Sequence, residues 1–209
     1  MTMNGSSAAA RLAVLFLSLA ASCVSVSKEY PDIHSFVLDA HRSGEKGALA
    51  VRENLIVRRL RISPRFETQS FVYRTDEHAF ESDFYNDFLV APDQLITEEV
   101  RDWLRRSGLF LHVLTPDSRA DAELVLEGNI VALYGDYSKP REPMAVIELQ
   151  LFLIREPGGA SEVLLERSWH REVLMTGDRP ADLVAGWNQG LTAILQGLEA
   201  TLANIDVDG

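Results

Sequence analysis

The chain has almost no cysteine: one residue, Cys23, in 209. A single thiol cannot close an internal disulfide, so the fold must hold without covalent staples. Long apolar runs are also missing. The longest, LAVLFLSLAA from Leu12 to Ala21, is about ten residues, half of the ~20 that a membrane-spanning helix needs. Positive charge is scarce as well. Twenty Lys and Arg face 31 Asp and Glu, for a net charge of −11. Such a chain repels nucleic acid and anionic head groups, so neither is expected as a partner.

Catalytic motifs are lacking too. The five histidines, His34, His41, His78, His112 and His170, have no second ligand at metal-site spacing, so no metal is expected. Ser43-Gly44-Glu45-Lys46-Gly47 lacks the spacing of a phosphate loop. No serine stands in a GxSxG turn. The carboxylates Glu77, Glu81, Asp83 and Asp87 read as a solvated face rather than as acid–base machinery. The chain is therefore expected not to be an enzyme and to hold no cofactor.

What is present begins at the N-terminus. Arg11, the apolar run and the small residues after it have the order of a secretory leader. Two cuts fit: Ser18-Leu19-Ala20 is an ordinary small-x-small site, and Ala20-Ala21-Ser22 before Cys23 resembles a bacterial lipobox, in which the cysteine thiol is acylated and becomes the new N-terminus. Ala20 stands where that motif most often has leucine. The reading is a lipoprotein signal peptide over 1–22, lipidation at Cys23, palmitate being one such acyl group, and a short tether over 23–33. One folded domain is expected over 34–205. Anchoring must come from the acyl chains, because no basic patch is available.

The domain alternates between two periods. Ser35–Ala40 reads as a strand, Val51–Ile62 as a longer one, and Phe71–Arg74 with Ala79–Tyr85 as a hairpin about Thr75–His78. Pro92 opens a helix whose apolar residues Leu95, Ile96, Val100, Trp103 and Leu104 share a face, and Gly108 stops it. Phe110–Leu114 reads as a short strand. Glu123–Tyr134, Met144–Arg155 and Val163–Met175 read as an antiparallel meander, with Pro157-Gly158-Gly159 as one of its turns. In the first of these, Leu124, Leu126, Ile130, Ala132 and Tyr134 are expected on one face. A last helix over Pro180–Ile205 carries Val184, Trp187, Leu191, Ile194, Leu198 and Leu202 at steps of three and four. The fold class is α+β: an antiparallel or mixed β-sheet with two amphipathic helices packed on one face.

Aromatic residues crowd the hairpin: Phe71, Tyr73, Phe80, Phe84, Tyr85 and Phe88. Part of this cluster is core. Tyr85, Phe88, Phe84 and Tyr73 are the candidates for a surface that meets a partner or lipid.

Taken in order, Phe36-Val37-Leu38, Leu55-Ile56-Val57, Phe71-Val72-Tyr73-Arg74, Asn86-Asp87-Phe88 and the Pro92-started helix resemble one family. It is the ABC-type transport auxiliary lipoprotein components, which include the lipoprotein of the paraquat-inducible operon. The resemblance spans about residues 34–205. Phe88 stands where the family usually has tryptophan, and one extra residue lies before Pro92. The resemblance implies a periplasm-facing lipoprotein that docks or assembles an MCE-type ABC lipid transport system between the inner and outer membranes. An MCE-domain subunit would be its partner, a membrane would be held through the anchor, and a homo-oligomer is left open. Val24, in place of the aspartate that retains enteric lipoproteins in the inner membrane, points to the outer membrane of a bacterial cell envelope. Two alternatives stand beside this: a periplasmic lipid-binding carrier, and a structural envelope lipoprotein of the lipopolysaccharide-assembly type.

Overall fold

The computed structural model describes residues 32–45, 47, 51–139, 141–156 and 161–205. The leader, Cys23 and the Pro157-Gly158-Gly159 turn lie outside the described residues. The elements are β1 (His34–Phe36), β2 (Leu55–Val57), β3 (Arg61–Ile62), β4 (Ser70–Arg74), β5 (Phe80–Phe88), α1 (Pro92–Ser107), β6 (Val113–Leu114), β7 (Leu124–Asp136), β8 (Met144–Arg155), β9 (Glu162–Leu174) and α2 (Pro180–Leu202). They form one mixed sheet and two helices, an α+β fold.

Strand β7 organises the sheet. Along one edge it pairs antiparallel with β8, from Leu124 opposite Arg155 to Asp136 opposite Met144. Strand β9 extends that meander, with Leu149 opposite Trp169. Along its other edge β7 receives three short parallel segments in turn. Leu55 of β2 lies opposite Leu124, Arg61 of β3 opposite Asn129, and Tyr73 of β4 opposite Gly135. The hairpin partner β5 then pairs with β4, and β1 pairs parallel to β5.

The strand expected over Val51–Ile62 is thus broken, and the break has a cause. The Leu60 N–H donates to Thr97 Oγ1 at 3.0 Å instead of to β7. The Thr97 hydroxyl is itself fixed by donating to the Asp93 carbonyl at 2.6 Å. Pairing resumes only at Arg61. The strand expected at Ser35–Ala40 is shorter too. After Phe36 the chain leaves the sheet and its amides turn to the helices. Asp39 N–H donates to Asn188 Oδ1 at 3.0 Å, and Ala40 N–H to Glu99 Oε2 at 2.7 Å.

A second correction concerns β7. Its register against β8 slips between Ile130 and Ala132. Such a bulge inserts one residue and reverses the facing of the residues beyond it. Leu133 and Gly135 therefore take the helix side, paired with Ile147 and Ala145. Ala132 and Tyr134 turn to the far side, contrary to the simple alternation. There Tyr134 stacks on Phe66 at 5.7 Å, with the Arg74 guanidinium 5.4 Å above its ring.

The helices follow their sequence pattern. Pro92 and Pro180 occupy first-turn positions, and Gly108 ends α1 in the left-handed conformation at φ 75°. Helix α2 buries Val184, Trp187, Leu191, Ile194, Leu198 and Leu202. It lies close against β8 and β9, with Gly186 over Ala145, Gly190 over Ile147 and Gly197 over Trp169. Helix α1 buries Ile96, Val100, Trp103 and Leu104 beside it, and Leu95 is half-buried. Each side chain of this size contributes about 1.5–3 kcal/mol on burial. Arg42 fastens the N-terminal segment to α2: its Nε and Nη2 donate to Glu199 at 3.0 and 2.8 Å. Glu199 also accepts from the Trp103 indole at 2.7 Å, which ties α1 to α2. The Arg42 hydrogen bond holds the Glu199 carboxyl below its ordinary range, against burial. Among the described residues no helix is long and apolar enough to cross a membrane.

Candidate functional site

The hairpin of β4 and β5 carries the candidate surface. Its pairing runs from Arg74 opposite Phe80 to Val72 opposite Ser82, then jumps to Ser70 opposite Asp87. Residues 83–86 of β5 therefore stand against Phe71 alone, and the excess backbone is pushed outward. Asp83 braces this wide bulge. Its Oδ1 accepts from the Tyr85 N–H at 2.7 Å and the Asn86 N–H at 3.1 Å. Its Oδ2 accepts from the Tyr73 hydroxyl at 2.5 Å and Asn86 Nδ2 at 2.9 Å.

The four candidates separate accordingly. Phe84 and Tyr85 ride the bulge and are 68% and 54% exposed, with rings 5.3 Å apart, edge to face. Phe88 does not belong to the surface. It is 3% exposed and packs on Phe71 at 4.8 Å and Trp187 at 5.4 Å. Tyr73 is half-buried against Tyr137, centroids 5.3 Å apart, and its role is to hold Asp83. The bulge is the reason for this split: strict alternation would put Phe84 and Phe88 on one face.

Burial pushes the Asp83 carboxyl up, but the hydrogen bonds from Tyr73, Tyr85 and Asn86 outweigh it and hold it below the ordinary carboxylate range. Burial, then Asp83, pushes the Tyr73 hydroxyl well up. A depressed carboxylate pKa stabilises the fold above the unfolded value, ~3.9, and that contribution is lost as pH falls through the folded value. Asp83→Asn is accordingly expected to cost about 1–2 kcal/mol at pH 7. The gap between wild type and variant should narrow below about pH 4. Urea midpoints of both proteins at pH 7 and pH 3 read this out; a gap that is constant in pH contradicts it.

The remaining chemistry is dispersed. Glu77 and Glu81 are solvent-exposed, as read from the sequence, but Asp83 is not a solvated carboxylate. His170 bridges Glu148 at 3.1 Å and Glu172 at 3.2 Å on the solvent side of the meander. Among the described residues no group of three or more His, Cys, Asp or Glu is placed to hold a metal ion. Asp83 is the residue that sequence reasoning missed. Its only local signal is the Asn three positions on, in Asp83-Phe84-Tyr85-Asn86, the spacing of a side chain that captures nearby amides. The Arg42–Glu199–Trp103 junction had no local signal, since its members lie on three distant segments.

No family model matches the chain, and no curated protein matches it. Solved structures do. The protein XCC0632 from Xanthomonas campestris, of the family DUF330, superposes with a TM-score of 0.70 at 15% identity, covering 81% of this chain and 95% of its own. A further, uncharacterized protein gives 0.63 at 14% identity, covering 82% and 99%. CT253 from Chlamydia trachomatis gives 0.51 at 10% identity, covering 72% and 98%. At such identities the likeness is one of fold.

Proposed function

We propose that the chain is a lipid-anchored contact module of the bacterial cell envelope, not an enzyme. It would be acylated at Cys23 and serve an MCE-type ABC lipid transport system as its auxiliary lipoprotein. The sequence resemblance over about residues 34–205 and the lipobox-like Ala20-Ala21-Ser22-Cys23 support this reading. The observation that carries it is the braced bulge. The backbone that carries the exposed Phe84 and Tyr85 is braced by four hydrogen bonds to Asp83, although two exposed aromatics add nothing to the core. A rigid, outward aromatic pair suits contact with another surface.

Cross-linking in cells followed by affinity capture of the acylated protein is the direct test. An MCE-domain subunit is the expected catch. Its absence when the lipoprotein is abundant would end the transport reading. Membrane fractionation of wild type against Cys23→Ser tests the anchor: the wild type should sediment with the outer membrane and the variant should be released. If both are released, the lipobox reading is wrong.

A further inference from the structure

The chain enters the sheet beside the aromatic pair. Strand β1 runs parallel to β5 with His34 opposite Asn86. Ile33 stands one residue before His34, as Tyr85 stands one residue before Asn86. Ile33 is 53% exposed. Three apolar side chains, Ile33, Phe84 and Tyr85, thus stand open at the sheet margin where the N-terminal segment arrives.

Cys23 precedes Ile33 by ten residues, and ten residues reach at most about 36 Å when fully extended. An acyl chain on Cys23 would therefore keep this margin within that distance of the bilayer. A membrane that already holds the anchor requires no minimum contact area, whereas a stable protein interface takes about 800 Å² per partner. Tyrosine settles at the boundary of head groups and acyl chains, and phenylalanine is among the apolar side chains that interfacial segments bury there. The exposed Glu81 nearby and the net charge of −11 disfavour an anionic surface and leave a zwitterionic one.

We infer that Ile33, Phe84 and Tyr85 form the face on which the anchored domain rests against its own bilayer. Phe84 enters the apolar boundary, and the Tyr85 hydroxyl stays with the head groups. The brace at Asp83 fixes the backbone that carries the two rings beforehand, so less ordering is required on contact. The inference rests on the acylation of Cys23 proposed above.

The lone cysteine makes the test clean. Acylation consumes the Cys23 thiol, so Phe84→Cys introduces a single free one. A nitroxide attached there, on the acylated full chain in phosphatidylcholine vesicles, is compared with the same label at Leu174→Cys, a position 59% exposed at the end of β9. The label at 84 should lie ~5–10 Å inside the head-group boundary by oxygen and nickel-chelate collision, as interfacial side chains do, while the label at 174 reads as bulk water. Tyr85→Cys gives a second probe if the first variant fails to fold. If both labels read as water while the chain sediments with the vesicles, the anchor stands and the docking face is overturned. Shielding of site 84 only after a protein partner is added also overturns it. A purified chain whose mass carries no acyl group removes the anchor and the inference together.

Discussion

Replacing Trp187 by alanine is expected to lower the unfolding free energy by about 3–5 kcal/mol, the range for truncating a large buried aromatic. Trp187 is fully buried in α2. Its ring meets Phe71 edge-on at 5.0 Å and Phe88 at 5.4 Å. Its indole N–H donates to the carbonyls of Tyr134 and Val146, at 3.3 and 3.2 Å. Those two residues are register partners across β7 and β8. One side chain thus fixes α2 to the two central strands and to the hairpin that bears the bulge. The alanine variant loses the packing and leaves a cavity among Phe71 and Phe88. Trp187→Phe keeps part of the ring contact but removes the donor and one of the two fused rings, so a smaller loss of about 1–3 kcal/mol is expected from it. Urea unfolding followed by far-ultraviolet circular dichroism measures both. A loss under 1 kcal/mol for the alanine variant would contradict the packing described.

The second large effect is at Gly186. A methyl group there would sit 2.5 Å from the Ala145 Cβ, closer than two such atoms can approach. Helix α2 would have to lift from β8, and overpacking of this kind costs about 1–3 kcal/mol even though alanine is the better helix former. Gly186→Ala should therefore destabilise. The contact is reciprocal, so Ala145→Gly should restore most of the loss in the double variant while costing stability alone. Additive single effects would show that the two backbones are not in contact.

These contacts mark what was legible beforehand. The stripe Val184, Trp187, Leu191, Ile194, Leu198 and Leu202 gave α2 because helical facing depends only on spacing within one segment. The meander was legible for the same reason. Where facing depends on a partner strand, alternation misled. Tyr134 turned outward because β7 slips against β8 at Val131. Phe84 and Phe88 parted because β5 carries four residues against one of β4. Both registers are set by pairing with distant segments, and no local pattern encodes them. The break at Leu60 likewise required Thr97, on a helix 37 positions away. The surface was half legible: the aromatic richness of the hairpin was visible, but which rings face water was not.

The placement of β7 also sets an order of events. Segments β2, β3 and β4 all dock on one edge of a strand that begins only at Leu124. A chain made from its N-terminus exposes the β7-facing edges of these segments first, and although β4 can already pair with β5 and β2 with β6, those edges have nothing to pair with. Loop closure must come before any of those contacts stabilises the chain, which is why topologies dominated by distant pairing fold slowly. Until Leu124 and the residues after it have emerged, the hairpin and its aromatic bulge have no β7 edge to join, and their apolar side chains stay open to solvent over that interval.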